Sequence, residues 1–182
     1  YFGAMLGQSF RTMERLAEFA QQNKIKIAFN PSTYLAEKGS RYLSHIISRT
    51  ELLVLNKEEA CLLVGNDSME GLLFKLKGIG PKIVVITDGK NDLYVIDSKY
   101  IYSAKPTFVK RVDTTGAGDA FASSFLSGII RKNDVEFAIK LGIANALSVI
   151  MHYGAKNILL TYNEAMKSMK KLKIKVHKKK IR

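Results

Sequence analysis

The sequence predicts an α/β fold, three layers α/β/α around a mostly parallel central sheet, and three observations carry that reading. Short apolar strands alternate with helices through the first half of the chain, the order that builds a parallel sheet with right-handed crossovers. The run Lys82-Ile83-Val84-Val85-Ile86-Thr87 is apolar almost throughout, as a strand covered on both faces must be. At 182 residues, with 47% hydrophobic and 9% aromatic content, the chain can bury one sizeable core, so a single α/β domain over residues 1–182 is expected.

In chain order, residues 5–22 place Leu6, Phe10, Met13, Leu16, Ala17 and Phe19 at helical spacing with Arg11, Glu14, Arg15 and Glu18 between them, an amphipathic helix on a sheet. Residues 25–29 form a short apolar strand stopped by Asn30-Pro31-Ser32, and 34–48 a second helix. Leu52-Leu53-Val54-Leu55 is the next strand, followed by helices over 57–64 and 69–77 and then the strand at 82–87. Beyond Asp88-Gly89-Lys90-Asn91 the pattern changes to strands at 93–96 and 100–103 around Asp97-Ser98-Lys99, which reads as a hairpin. Helices follow at 117–131 and 135–152, the second capped by Asp134 and so apolar that it is expected to be covered on more than one side, and a last helix at 163–171.

Composition narrows the function classes. The lone Cys61, set in Ala60-Cys61-Leu62-Leu63-Val64, has no disulfide partner and is expected as a buried thiol of a cytoplasmic protein. No apolar run approaches the length of a membrane span, and nothing at Tyr1 reads as a secretory leader. The net charge of +13 invites a nucleic-acid reading, but its distribution weakens it. Eight Lys and one Arg lie in residues 167–182 with no acid, which leaves 20 basic against 16 acidic residues, or +4, before that segment. There Lys171-Leu172-Lys173-Ile174-Lys175-Val176 alternates, which predicts a strand whose lysines guard an exposed sheet edge; a disordered basic tail or a polyanion contact are the alternatives. Nucleic-acid surfaces interleave basic residues with exposed aromatics or carry them on a groove-reading helix, and neither is visible, so a nucleic-acid partner is not expected.

The segment with the most chemistry is Val112-Asp113-Thr114-Thr115-Gly116-Ala117-Gly118-Asp119-Ala120-Phe121. Small residues let a backbone approach a ligand, and the N–H groups that open the helix beyond have no partner within it. Those donors and the positive end of the helix dipole favour an anion. Asp119 falls in the first turn, and a carboxylate beside phosphate gains basicity from like charge, which suits a general base. A plain loop with Asp119 as a dipole-satisfying carboxylate is the alternative.

The string Asp113-Thr114-Thr115-Gly116-Ala117-Gly118-Asp119-Ala120-Phe121 closely resembles the signature of the ribokinase-like (PfkB) family of sugar and nucleoside kinases. The resemblance implies an ATP-dependent phosphotransferase acting on an alcohol of a sugar or related small molecule. Asp119 would take the hydroxyl proton and the amides of Gly116, Ala117 and Gly118 would form the anion hole. Asn56-Lys57-Glu58-Glu59 resembles the family's Asn-x-x-Glu element, which implies Asn56 near the nucleotide phosphates and Glu59 near Mg2+, directly or through water; helix capping is the other reading of the same residues. Thr87-Asp88-Gly89 resembles the family's Thr-x-Gly turn against the nucleotide, although Asp92 stands where a further glycine is usual, and a strand-ending turn is the alternative. Asp113, Thr115 and Gly154 resemble positions that hold a monovalent cation, which implies K+. Asn145 lies on the helix that borders adenine in relatives, with bonding inside the core as the alternative. His45, His152 and His177 lack metal-ligand spacing.

The resemblance begins inside the family pattern. A ribokinase-like fold lacking the N-terminal strands and the lid is therefore expected, and Asn30-Pro31-Ser32 stands where relatives often carry an aspartate. The chain alone is then expected to bind nucleotide weakly and to be poorly active on sugars. The alternative functions are a nucleoside kinase of the same family, or a non-catalytic nucleotide-binding or polyanion-binding module. A homodimer is the assembly to test for.

Overall fold

The computed structural model describes residues 1–181. Arg182, which closes the basic segment expected at 167–182, lies outside the described residues. The elements are α1 (Gln8–Gln22), β1 (Ala28–Phe29), α2 (Thr33–Ala36), α3 (Gly39–Ile47), β2 (Leu52–Asn56), α4 (Lys57–Val64), α5 (Met69–Gly78) and β3 (Ile83–Thr87). They continue with β4 (Leu93–Ile96), β5 (Tyr100–Ala104), α6 (Ala117–Lys132), α7 (Val135–Ile150), α8 (Tyr162–Leu172) and β6 (Val176–Lys180). The strands follow one another in one sheet in chain order. Two compact units divide the chain: Tyr1–Asp88 and Tyr94–Ile101 with the residues from Lys179 on, and Gly89–Leu93 with Tyr102–Lys178.

In the first unit β1 lies parallel to β2, and β2 parallel to β3 from Leu52 opposite Ile83 to Asn56 opposite Thr87. Parallel neighbours need crossovers, and α2 with α3, then α4 with α5, supply them. Phe2 adds a parallel bridge to Phe29, while β4 runs antiparallel to β3 with Val85 opposite Val95, so the sheet is mixed. Between Asp97 and Tyr100 the chain turns on one carboxylate oxygen, Asp97 Oδ1, which accepts from the amides of Lys99 and Tyr100, both at 2.7 Å. That gives the turn expected at 97–99.

The apolar stripe of α1 delivers Met13 and Ala17 to a core shared with Leu43 and Ile46 of α3, Leu72 and Leu76 of α5, and Leu53, Leu55, Val84 and Ile86 of the strands. Each fully buried Met, Leu, Ile or Val side chain among these contributes roughly 1.5–3 kcal/mol relative to exposure. The middle of β3 is buried on both faces, as its apolar run requires. Cys61 is half-buried and packs against this core, with less cover than expected.

Several expected elements differ: the helix expected at 5–22 starts at Gln8, and the strand expected at 25–29 narrows to Ala28–Phe29. The helix expected at 34–48 is broken into α2 and α3, because Gly39 takes φ +79°, a conformation outside the helical region. The strand expected at 171–176 begins only at Val176. Residues 162–172 are held in α8 by a capping box, in which the Thr161 amide donates to Glu164 Oε2 at 2.8 Å, and Lys173 at φ +48° ends the helix. The alternation of lysines thus spans a helix end, a turn and a strand start. Apart from Val176, β6 is exposed along its length.

In the second unit α6 and α7 pack extensively, with Phe121 and Phe125 buried and Gly142 leaving room for the Phe121 ring. Asn133 at φ +50° ends α6, and Asp134 Oδ1 accepts from the Phe137 amide at 3.0 Å, the cap expected of it. Most positions of α7 are buried. No helix among the described residues is long and apolar enough to cross a membrane.

Candidate functional site

The candidate residues are held by local hydrogen bonds in each unit. In the first, the register that sets Asn56 opposite Thr87 brings both to the carboxyl ends of two parallel strands, the end at which open α/β sheets receive ligands. Asn56 caps α4 reciprocally: its Oδ1 accepts from the Glu59 amide at 2.8 Å, and its own amide donates to Glu59 Oε2 at 3.0 Å. Thr33 Oγ1, at the start of α2, donates to Glu59 Oε1 at 3.3 Å. Glu59 is 7% exposed, and burial raises its carboxyl above the ordinary range, against the downward pull of the Asn56 amide and the Thr33 hydroxyl. Each oxygen keeps lone-pair capacity beyond its one partner.

Thr87 Oγ1 donates to the Leu55 carbonyl at 3.4 Å, tying the ends of β2 and β3 together. Beside them Lys57 Nζ and Asp88 Oδ2 lie 3.5 Å apart. Gly89 takes φ +56°. Thr33 and Lys57 were not anticipated. Thr33 stands 26 positions from its partner, and no local pattern announces such a contact.

In the second unit three of the expected residues meet. Asp113 Oδ1 accepts from the Thr115 amide at 2.9 Å and Oδ2 from the Gly154 amide at 3.1 Å. The Thr115 bonds first, then that from Gly154, hold the Asp113 carboxyl below the ordinary range. The amides of Val112 and Asp113 also donate to the Ile150 carbonyl, at 2.8 and 3.3 Å, which docks this loop on the end of α7.

Gly116 opens α6 at φ +80°, and a Cβ there would sit 2.0 Å from the Ala155 carbonyl oxygen, so only glycine fits the turn. Ala117 donates to the Thr114 carbonyl at 3.2 Å and Ala120 to the Gly116 carbonyl at 2.9 Å. Among the described residues the amides of Gly116, Gly118 and Asp119 have no partner. Asp119 is exposed in the first turn of α6, and its carboxylate makes no hydrogen bond or ion pair with the described residues.

Asn145 is 8% exposed with both ends of its amide committed: Nδ2 donates to Ser124 Oγ at 2.6 Å and Oδ1 accepts from the Leu160 amide at 2.9 Å. No group of three or more His, Cys, Asp or Glu side chains able to hold a metal occurs among the described residues. A hard cation here would need the oxygens of one carboxylate together with those of a ligand and water, and Glu59 is the candidate carboxylate.

The sequence pattern of the pfkB family carbohydrate kinase matches residues 7–161. The chain is 35% identical over 137 residues to the cytidine kinase of Thermococcus kodakarensis, covering 72% of this chain and 48% of that protein. Its fold is similar to that of phosphofructokinase-2 from Escherichia coli solved with potassium, with a TM-score of 0.77 and 20% identity over 94% of this chain and 55% of the other. It is also similar to a ribokinase-II-like protein from Escherichia coli solved with ATP and Mg2+, with a TM-score of 0.76 and 18% identity over 85% and 52%. The chain spans about half the length of the curated relatives it matches.

Proposed function

The chain belongs to the pfkB family of carbohydrate kinases, and from that premise we propose that it transfers the terminal phosphoryl group of ATP to an alcohol of a sugar or nucleoside. The observation that carries this reading is the opening of α6, where unpartnered amides and an exposed carboxylate share one helical turn.

The acceptor hydroxyl oxygen forms a bond to the terminal phosphorus, the bond from that phosphorus to the bridging oxygen breaks, and ADP leaves with the electron pair. Asp119 takes the hydroxyl proton. The amides of Gly116 and Gly118 donate to the phosphoryl oxygens as charge builds on them, with the dipole of α6 behind them. The Ala117 amide joins this anion hole only when it leaves the Thr114 carbonyl.

Mg2+, when bound, neutralises phosphate charge. Glu59 would hold it directly or through water. Asn56 and the Thr87-Asp88-Gly89 turn serve the nucleotide phosphates, and Lys57 can leave Asp88 for a phosphate oxygen. Asp113, Thr115 and Gly154 form the segment that would respond to K+, the ion in one relative's structure. Asn145, buried and bonded to Ser124 and the Leu160 amide, is assigned to fixing the Leu160 backbone rather than to adenine. A sugar alcohol is the first acceptor to test and a nucleoside alcohol the second, since relatives named for each class are similar to this chain.

Asp119→Asn tests the reading. In the full-length protein it should leave the melting temperature unchanged and lower kcat by roughly 10²–10⁴, the range for loss of a general base. Retained turnover would sink the assignment.

A further inference from the structure

Glu59 is a buried acid whose partners among the described residues are neutral. The Asn56 amide donates to Oε2 at 3.0 Å and the Thr33 hydroxyl to Oε1 at 3.3 Å. Lys57, on the same helix, has its ammonium on Asp88 instead, 3.5 Å from Oδ2. A buried carboxylate is costly unless it is paired or hydrogen-bonded. Held by neutral donors alone, this one keeps its whole charge for a ligand, where a lysine partner would cancel it.

The two donors differ in origin. Asn56 belongs to the same turn as Glu59 and is fixed by the capping box of α4. Thr33 comes from a separate segment that the sheet brings alongside. β1 and β2 are parallel neighbours, so the chain leaving Phe29 through Asn30 and the buried Pro31 arrives at the sheet end where β2 delivers Asn56. There Thr33 opens α2, a helix of four residues packed against α4, with Leu35 and Ala36 buried beneath it. Thr33 itself is exposed, so its hydroxyl meets Glu59 from the open side of the site. That hydroxyl has a single proton to give, and Glu59 receives it.

We propose that Thr33 is a positioning residue for Glu59, its hydroxyl steering Oε1 so that the carboxylate is aligned for a hard cation. The proposal rests on the assignment of Glu59 to Mg2+ above. A contact that only pinned α2 to α4 would act on the fold and be indifferent to the ion.

Calorimetry of ATP binding to the full-length protein, once with Mg2+ and once with EDTA, gives the gain in affinity that Mg2+ brings. Thr33→Val keeps the shape and loses the donor; it should cut that gain at least about fivefold and leave affinity in EDTA within about twofold. Thr33→Ser should retain the gain, and Glu59→Gln should abolish it. Thr33→Ala carries the same expectation as Thr33→Val should the valine prevent folding. The proposal is overturned, with the role of Glu59 intact, if Thr33→Val keeps the gain that Glu59→Gln loses. It is also overturned if Thr33→Val weakens ATP equally with and without Mg2+, or if Thr33→Ser loses as much of the gain as Thr33→Val. A wild type without the gain, or a Glu59→Gln variant that keeps it, sinks the assignment of Glu59 to Mg2+ and this proposal together.

Discussion

Gly116 is the residue on which the geometry at the head of α6 depends. Its φ of +80° is strained for any L side chain, and the Ala155 carbonyl occupies the space a Cβ would need. Gly116→Ala should lower unfolding stability by at least about 2 kcal/mol in a denaturant titration, through backbone strain and the clash together. It should also turn the amides that precede Asp119. A stability loss within about 0.5 kcal/mol, the scatter of neutral surface changes, would mean that the loop at 154–155 gives way freely. Asn145 makes a different point at the same scale: a buried amide in an apolar helix can be read from sequence, but its two partners, Ser124 and Leu160, come from segments that only the fold brings to it.

At the scale of the element, capping chemistry governs both stability and pH response. Glu164 closes the capping box of α8, and the Thr161 hydroxyl, then the Thr161 amide, hold its carboxyl below the ordinary range. A carboxylate with a depressed folded value stabilises above its unfolded pKa, about 4.3 for Glu, and loses that contribution as pH falls through the lower folded value. The protection of the amides at the start of α8, exchange taken relative to the intrinsic rate at each pH, should therefore fall only on the acid side of that range, and Glu164→Ala should remove that fall. Protection that stays constant in the wild type down through acid pH would exclude this cap as its source.

The same scale shows what could be read in advance. The strands and the α4 and α7 caps were legible because their signals are local: apolar runs, Asn-x-x-Glu, Asp before an apolar helix. The α2–α3 break and the shifted β6 were not, because each turns on one residue, Gly39 or Lys173, whose positive φ overrides a periodic pattern running through it. The Thr33–Glu59 contact was hidden for a third reason, since it joins the starts of two helices through sheet register alone.

For the whole molecule, the excess of positive charge is concentrated near the end of the chain, and β6 is almost wholly exposed. Lys179 is already paired with Glu70 at 2.8 Å, and Lys178 lies over the Tyr102 ring. At about 150 mM salt, where exposed charges are screened beyond about 8 Å, the chain should leave a short RNA or DNA duplex unshifted in a gel. A salt-dependent shift lost on removing residues 170–182 would instead support a polyanion-binding role.

The stretch 151–160 looks from outside like an ordinary surface loop, exposed almost throughout. Gly154 and Ala155 are nonetheless held against Asp113 and Gly116, the Ile158 carbonyl receives the Ser148 hydroxyl, and the Leu160 amide reaches Asn145. Exposed loops are where epitope tags and circularly permuted termini are usually placed. This one should refuse them, and a cut or insertion there would be felt at the first turn of α6. A tag belongs at 105–110, where Phe108 is 94% exposed.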